Sequence, residues 1–194
     1  MRVILLLLIS NLLFGWSCKW TAPYYQRYAL AYFDWTYPYQ TFMAQGAMES
    51  HCRKSAISND GHRSKGIGQV TWKWWKHYLT REHIKDLNTI DRQIQAQVAV
   101  NRYFYDRIKC KKLNFMFRAY NGGLLINKEI KRAKSCDVNL VELYCKRKTV
   151  HFSNGTSRNA CDINIKYARD ILKYAIKWYG YRPNKNWEYG LWGY

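Results

Sequence analysis

Glu49, a carboxyl where a helix-patterned segment meets a loop, is a candidate for acid–base chemistry. The sequence of 194 residues carries 13 acidic side chains against 32 Lys and Arg. Glu49 falls where a helix-patterned segment, Tyr39 to Ser50, meets a polar, Gly-containing stretch, His51 to Lys65. A carboxyl at such a junction can face a substrate. Desolvation by Met48 and nearby aromatics would hold it protonated above the ordinary carboxylate range, the form that can donate a proton to a leaving oxygen. The plain alternative is a surface carboxylate in an ion pair. Asp60 is the only other acidic residue close by, and sugar hydrolases normally need a second carboxylate, but its Asn59-Asp60-Gly61 setting predicts a loop-ordering residue. Trp72, Trp74 and Trp75 offer flat faces for sugar rings, or simple packing. Cys52 with His51, His62 or His151 is a weaker, thiol-based alternative, and His77 and His83 lack any zinc-protease context.

The elements that must carry these residues read as helices. Tyr25, Tyr28 and Tyr32 share one helical face within an aromatic stretch, residues 19–39, and Tyr39 to Ser50 forms the next helix. Ile67 to Tyr78 predicts a short helix. Ile90 to Ile108 predicts a long one, with Asn88 as N-cap and Asp91 in its first turn. Leu113 to Tyr120 continues as helix until Asn121-Gly122-Gly123, and another break falls near Ser135. Asn139 to Cys145 is read as helical and Lys146 to Ala160 as a polar loop. Ile163, Tyr167, Ile171, Tyr174 and Trp178 mark the inner face of a last helix closed by Gly180, with Lys166, Arg169, Lys173 and Lys177 on its solvated face. No strand pair stands out, so the expected fold class is mainly α, with little or no sheet.

The order of three short motifs adds to this. Glu49-Ser50 is followed roughly twenty residues on by Gly66-Ile67-Gly68-Gln69, and after a long helix by Ala119-Tyr120-Asn121. Together, over residues 39–179, they resemble the lytic transglycosylases of the lysozyme-like superfamily, and the Asn-Asp-Gly loop resembles the secretion-associated and phage branch. The resemblance implies a helical, lysozyme-like domain with a cleft at residues 39–180. It implies Glu49 as the catalytic acid and then base, with Ser50, Gln69, Tyr120 and Asn121 on the substrate side. It also implies a late tyrosine approaching the acid, assigned to Tyr167, although Ile163 stands where the family often has Glu. The implied reaction cleaves the β-1,4 bond of peptidoglycan glycan strands to a 1,6-anhydromuramoyl product without water, and needs no metal or organic cofactor. A lysozyme-type hydrolase and a basic protein that binds peptidoglycan or nucleic acid without cleaving it remain as alternatives.

Arg2 and the apolar run Val3 to Phe14 before Gly15-Trp16-Ser17 read as a signal peptide or membrane anchor over residues 1–17, and Cys18 after Ser17 leaves lipidation open. Residues 18–38 are then an aromatic N-terminal extension and 181–194 an aromatic C-terminal tail. The six cysteines, with no CxxC pair, suit three disulfides in an exported protein, whose fifteen connectivities the sequence leaves open. The expected location is periplasm or cell envelope, or a virion. A net charge of +19 favours a polyanionic partner. Peptidoglycan is expected, with a secretion-system or virion assembly as a further partner and the chain itself a monomer. No zinc, RNA-recognition or helix-turn-helix signature supports specific nucleic-acid binding. Asn154-Gly155-Thr156 matches a glycosylation acceptor and is given no role.

Overall fold

The aromatic stretch forms a helix because Pro23 sits in the first turn, where its missing amide costs nothing, and because Tyr25, Tyr28 and Ala29 recur on one face and are buried. This computed structural model describes residues 18–58, 61–146, 148–151 and 155–183. Its elements are α1 (Ala22–Tyr32), α2 (Gln40–Ser50), α3 (Trp72–Arg81), α4 (Ile90–Arg107), α5 (Leu113–Gly122), α6 (Ile126–Ala133), α7 (Val138–Leu143), β1 (Thr149–His151), β2 (Ser157–Asn159) and α8 (Ala160–Tyr179). The fold is mainly helical, with one small antiparallel hairpin that pairs Thr149 with Asn159 and His151 with Ser157. The chain divides into two compact units. The described residues of one are within 18–102 and 173–182, and most of those of the other lie within 103–172.

In the first unit α1 and α2 pack through a cluster of rings. Phe42 stacks on Tyr37 at 4.6 Å between centroids and on Tyr25 at 6.3 Å, with Phe33 against both Tyr37 and Phe42. Arg27 and Tyr28 of α1 both bond Asp91 at the start of α4. The interior of this unit also holds a polar stripe. Gln93, Gln97 and Asn101, one turn apart on α4, are all buried. Gln97 accepts from the Tyr25 hydroxyl (2.6 Å) and donates to Gln45 (2.9 Å), whose oxygen also accepts from Asn101 (2.8 Å).

The second unit has its own core of Phe115, Phe117, Ile126, Ile130, Val138 and Val141. It encloses the ion pair Arg118–Glu129, both members buried, while Glu142 pairs with Arg169. The cysteines form Cys18–Cys52 in the first unit and Cys110–Cys136 and Cys145–Cys161 in the second. Three disulfides fit an oxidising, exported environment. No helix among the described residues is long and apolar enough to cross a membrane, and the leader reading lies outside those residues.

Several expectations are corrected. The Cys18 sulfur is bonded to Cys52 and so is not open to a lipid thioether, and the same bond removes Cys52 as a free thiol nucleophile. The helix expected from Ile67 starts only at Trp72, because Gly66 and Gln69 take left-handed backbone (φ 76° and 49°) and Thr71 is extended. The N-cap of α4 is Thr89, whose hydroxyl accepts from the Arg92 amide at 3.2 Å, rather than Asn88. The stretch read as a loop after Lys146 contains β1 and β2, held at the base by Cys145–Cys161. On α8 the buried face is Cys161, Asn164, Ala168, Ile171, Leu172 and Ala175. Tyr167, Tyr174 and Trp178 flank it half-buried, since small alanines allow closer packing than the large rings do.

Candidate functional site

Glu49 occupies the last turn of α2, half-buried next to half-buried Met48. The turn is fixed from three sides. At Gly46 a Cβ would run into the Tyr25 hydroxyl and stand 3.0 Å from Ile67 Cγ2, so the absence of a side chain lets α1 and the 66–69 loop close on the helix. Beyond Ser50, His51 and Cys52 are both left-handed at φ 55°. The His51 amide donates to the Ala47 carbonyl at 2.9 Å, and the Cys52 amide to that of Gly46 at 3.2 Å. Non-glycine residues adopt this backbone at a cost of about 1–2 kcal/mol each, and the Cys52–Cys18 bond helps hold the second of them.

Ser50 joins two of the sequence motifs. It is buried, its hydroxyl donates to the Ile67 carbonyl at 2.9 Å, and its oxygen accepts from the Arg53 amide at 3.1 Å. The hydroxyl therefore ties the Glu-bearing turn to the Gly66–Gln69 loop. That loop is itself closed by reciprocal bonds between Lys65 and Val70 at 3.0 and 3.2 Å. The Gln69 side-chain amide donates to the carbonyls of Gly66 (2.8 Å) and Ala56 (3.3 Å), which fixes which end of the group is which. Its Oε1 accepts no hydrogen bond from any described residue, and the side chain is half-buried at the surface of the loop.

The polar stripe of α4 carries the loop from below. Gln93 accepts from the Ile67 amide at 3.2 Å and donates to the carbonyls of Lys54 (3.0 Å) and Leu87 (2.9 Å). A Cβ on Gly66 would overlap Gln93, and one on Gly68 would lie 2.6 Å from Gln97 Cβ, so both glycines are needed for the backbone to reach the stripe. Sequence reasoning passed over Gln93 and Gln97. The available signal was amides at four-residue spacing on a helix whose neighbouring positions, Ile94 and Val98, are apolar.

The electrostatics near Glu49 centre on tyrosines. Burial pushes the Tyr25 phenol well above its ordinary value, reinforced by nearby Tyr179, opposed by its bond to Gln97, and raised further by the charge on Glu49. Burial also lifts Tyr179 to about 12. Both phenols therefore stay protonated at physiological pH, and the Glu49 carboxylate lies within electrostatic reach of Tyr25. Tyr179 was not among the residues expected from the sequence, which assigned the late tyrosine to Tyr167.

Of the other expected residues, Tyr120 and Asn121 occupy consecutive positions in the last turn of α5, in the second unit. Tyr120 is half-buried with its ring edge-on to Phe104 at 6.5 Å, and Asn121 is exposed just before the helix stops at left-handed Gly123 (φ 68°). Tyr167 lies half-buried in the middle of α8. Trp74 is 60% exposed with His62 beside it at 4.5 Å, while Trp72 and Trp75 are half-buried. Asp60 lies outside the described residues. Among those residues no group of three or more His, Cys, Asp or Glu side chains could hold a metal ion.

No protein-family model, no curated protein and no solved structure matches this chain. The functional reading therefore stands on the motifs and their geometry.

Proposed function

We propose that the chain is a peptidoglycan lytic transglycosylase in which Glu49 serves as acid and then base. One observation carries the reading. The Ser50 hydroxyl bonds the Ile67 carbonyl, so the Glu-Ser turn and the Gly66–Gln69 loop, separate in sequence, form one built surface with Glu49 half-buried upon it. Gln69, clamped through its nitrogen, presents a carbonyl oxygen that can accept from a sugar hydroxyl or acetamido N–H.

In the first step the Glu49 carboxyl gives its proton to the glycosidic oxygen and the C1–O bond breaks, with the N-acetyl group of the muramoyl sugar sharing the positive charge at C1. In the second, the Glu49 carboxylate takes the proton of the same sugar's 6-hydroxyl as that oxygen bonds C1. The carboxyl is thereby restored and no water is consumed. A single carboxylate suffices because the nucleophile belongs to the substrate. Tyr25 and Tyr179, protonated throughout, add no charge to oppose the carboxylate formed in between.

The test is mass spectrometry of fragments released from purified peptidoglycan by the protein and by its Glu49→Gln variant, both retaining Cys18 so that the Cys18–Cys52 bond forms. The expected products are lighter by one water than hydrolytic fragments and vanish with the variant. Hydrolytic reducing ends would make the protein a lysozyme-type hydrolase and bring Asp60 forward as its second carboxylate. Release by neither folded protein would leave a non-catalytic wall-binding protein.

A further inference from the structure

A cavity of about 420 Å³ opens in the first unit, away from the motif residues. Lys19 and Ala22 form one wall, Tyr39, Gln40 and Met43 at the start of α2 form another, and Trp178, Tyr179 and Gly180 at the end of α8 close it. The volume lies in the range of small-ligand sites. Gln40 and Met43 precede Glu49 by nine and six residues on one helix, which at 1.5 Å per residue is roughly 9–14 Å along its axis. Two of its lining residues, Lys19 and Ala22, lie before the stretch that carries the motifs.

The lining chemistry is specific. Three aromatic side chains provide flat apolar surface, and Gln40 supplies an amide. Positive charge comes from Lys19 in the wall and from Lys177, whose ammonium sits 4.6 Å from the Trp178 ring centroid. Among the described residues no acidic side chain lines the cavity. The Trp178 indole nitrogen and the Tyr179 hydroxyl are buried with no hydrogen-bond partner among the described residues, and burial keeps the latter protonated. Ring faces, the Gln40 amide and the cations together suit a ligand with an apolar ring face, oxygen acceptors and a negative charge.

We propose that this cavity is a binding site for an acidic amino sugar, the N-acetylmuramoyl unit with its lactyl carboxylate, and that it holds a glycan strand about two turns of α2 before Glu49. Lys19 and Lys177 attract the carboxylate, Gln40 bonds the acetamido or hydroxyl groups, and Tyr39 and Trp178 cover the ring. The choice of sugar rests on the cell-wall reading above.

The experiment is a two-dimensional NMR titration of the full, oxidised chain, following the Trp178 indole N–H signal identified by its loss in Trp178→Phe. The probes are N-acetylmuramic acid and N-acetylglucosamine, which differ by the lactyl group. The expected result is a saturable shift with N-acetylmuramic acid, a dissociation constant about fivefold or more higher for N-acetylglucosamine, and a similar weakening in Lys19→Ala and Gln40→Ala. Glu49→Gln is expected to bind as the unaltered chain does. Equal response to both sugars, indifference to the Lys19 and Gln40 substitutions, or loss of binding in Glu49→Gln would overturn the proposal. Cleavage of peptidoglycan without N-acetylmuramic acid binding overturns the cavity assignment alone. Binding without cleavage upholds it and overturns the catalytic reading alone.

Discussion

Gly66 shows how much of the candidate site hangs on single atoms. Its φ of 76° disfavours any side chain, and a Cβ there would also overlap the carboxamide of Gln93. Gly61 has nearly the same φ, 78°, with nothing among the described residues within 4 Å of an added Cβ. Gly61→Ala should therefore cost about 1–2 kcal/mol, the left-handed penalty alone. Gly66→Ala should cost about 2–4 kcal/mol, because displacement of Gln93 adds to it. Urea unfolding of both checks this, and equal costs would mean that the Gln93 contact is unimportant. A second residue-scale prediction concerns Glu142 in the second unit. Burial raises its carboxyl above the ordinary range despite the opposing pull of Arg169 and Arg118, with buried Glu129 adding to the rise. A carboxyl raised on folding contributes its full stability below the unfolded value, and that contribution is lost as pH rises through the folded value. Glu142→Gln does not titrate there, so its melting temperature relative to the unaltered protein should improve from pH 4 to pH 7. A constant or worsening difference would show that the pair with Arg169 outweighs the burial. At this scale the helix end that carries Glu49 was legible, since an apolar-patterned segment meets a polar one at its position. The left-handed Gln69 was not, because it opposes local preference and is held by bonds to Ala56 and Gly66 that only the fold supplies.

The elements divide in the same way. The helices α2, α4 and α5 follow from apolar spacing and from the Gly122-Gly123 stop, all local signals. What the pattern does not disclose is what a helix buries when its interior face is polar. Gln93, Gln97 and Asn101 look like a solvated stripe, yet α4 is buried on that side and the amides find Tyr25, Gln45 and the loop as partners. The hairpin of β1 and β2 was illegible for a related reason. All six of its residues are exposed, so no alternation of burial marks it. The amide stripe can be tested as a unit. Gln97→Leu leaves the Tyr25 hydroxyl without its acceptor and removes the donor to Gln45, and should cost about 2–4 kcal/mol. Tyr25→Phe on its own removes one bond, and adding it to Gln97→Leu should cost less than it does in the unaltered protein. A double-mutant cycle should return a coupling of about 1 kcal/mol between the two sites. Additive effects would mean that the 2.6 Å contact carries no energy of its own.

For the molecule as a whole, charge and covalent closure act against each other. A net charge of +19 on a 23.3 kDa chain suits the proposed polyanionic substrate but favours expansion through self-repulsion. The three bridges, closing 34, 26 and 16 residues, limit the expanded states of the unfolded chain and so oppose it. The sequence allowed the number of bridges, whereas their pairing needed the tertiary structure to bring Cys18 within 5.5 Å of Cys52 between Cα atoms. That bridge matters most for the proposed function, because it ties down the left-handed turn next to Glu49. Replacing both its cysteines by serine should lower stability by about 3–4 kcal/mol, the loop-closure value for a span of this length. The proposed activity should fall further than the unfolded fraction explains, since the Glu49 turn is then held only by Ser50 and the helix-end amides. Urea unfolding monitored by circular dichroism gives the first quantity. Turnover of peptidoglycan at a temperature where the variant is still folded gives the second. A variant of full specific activity when folded would show that the hydrogen bonds alone position the carboxyl, and that the bridge serves stability only.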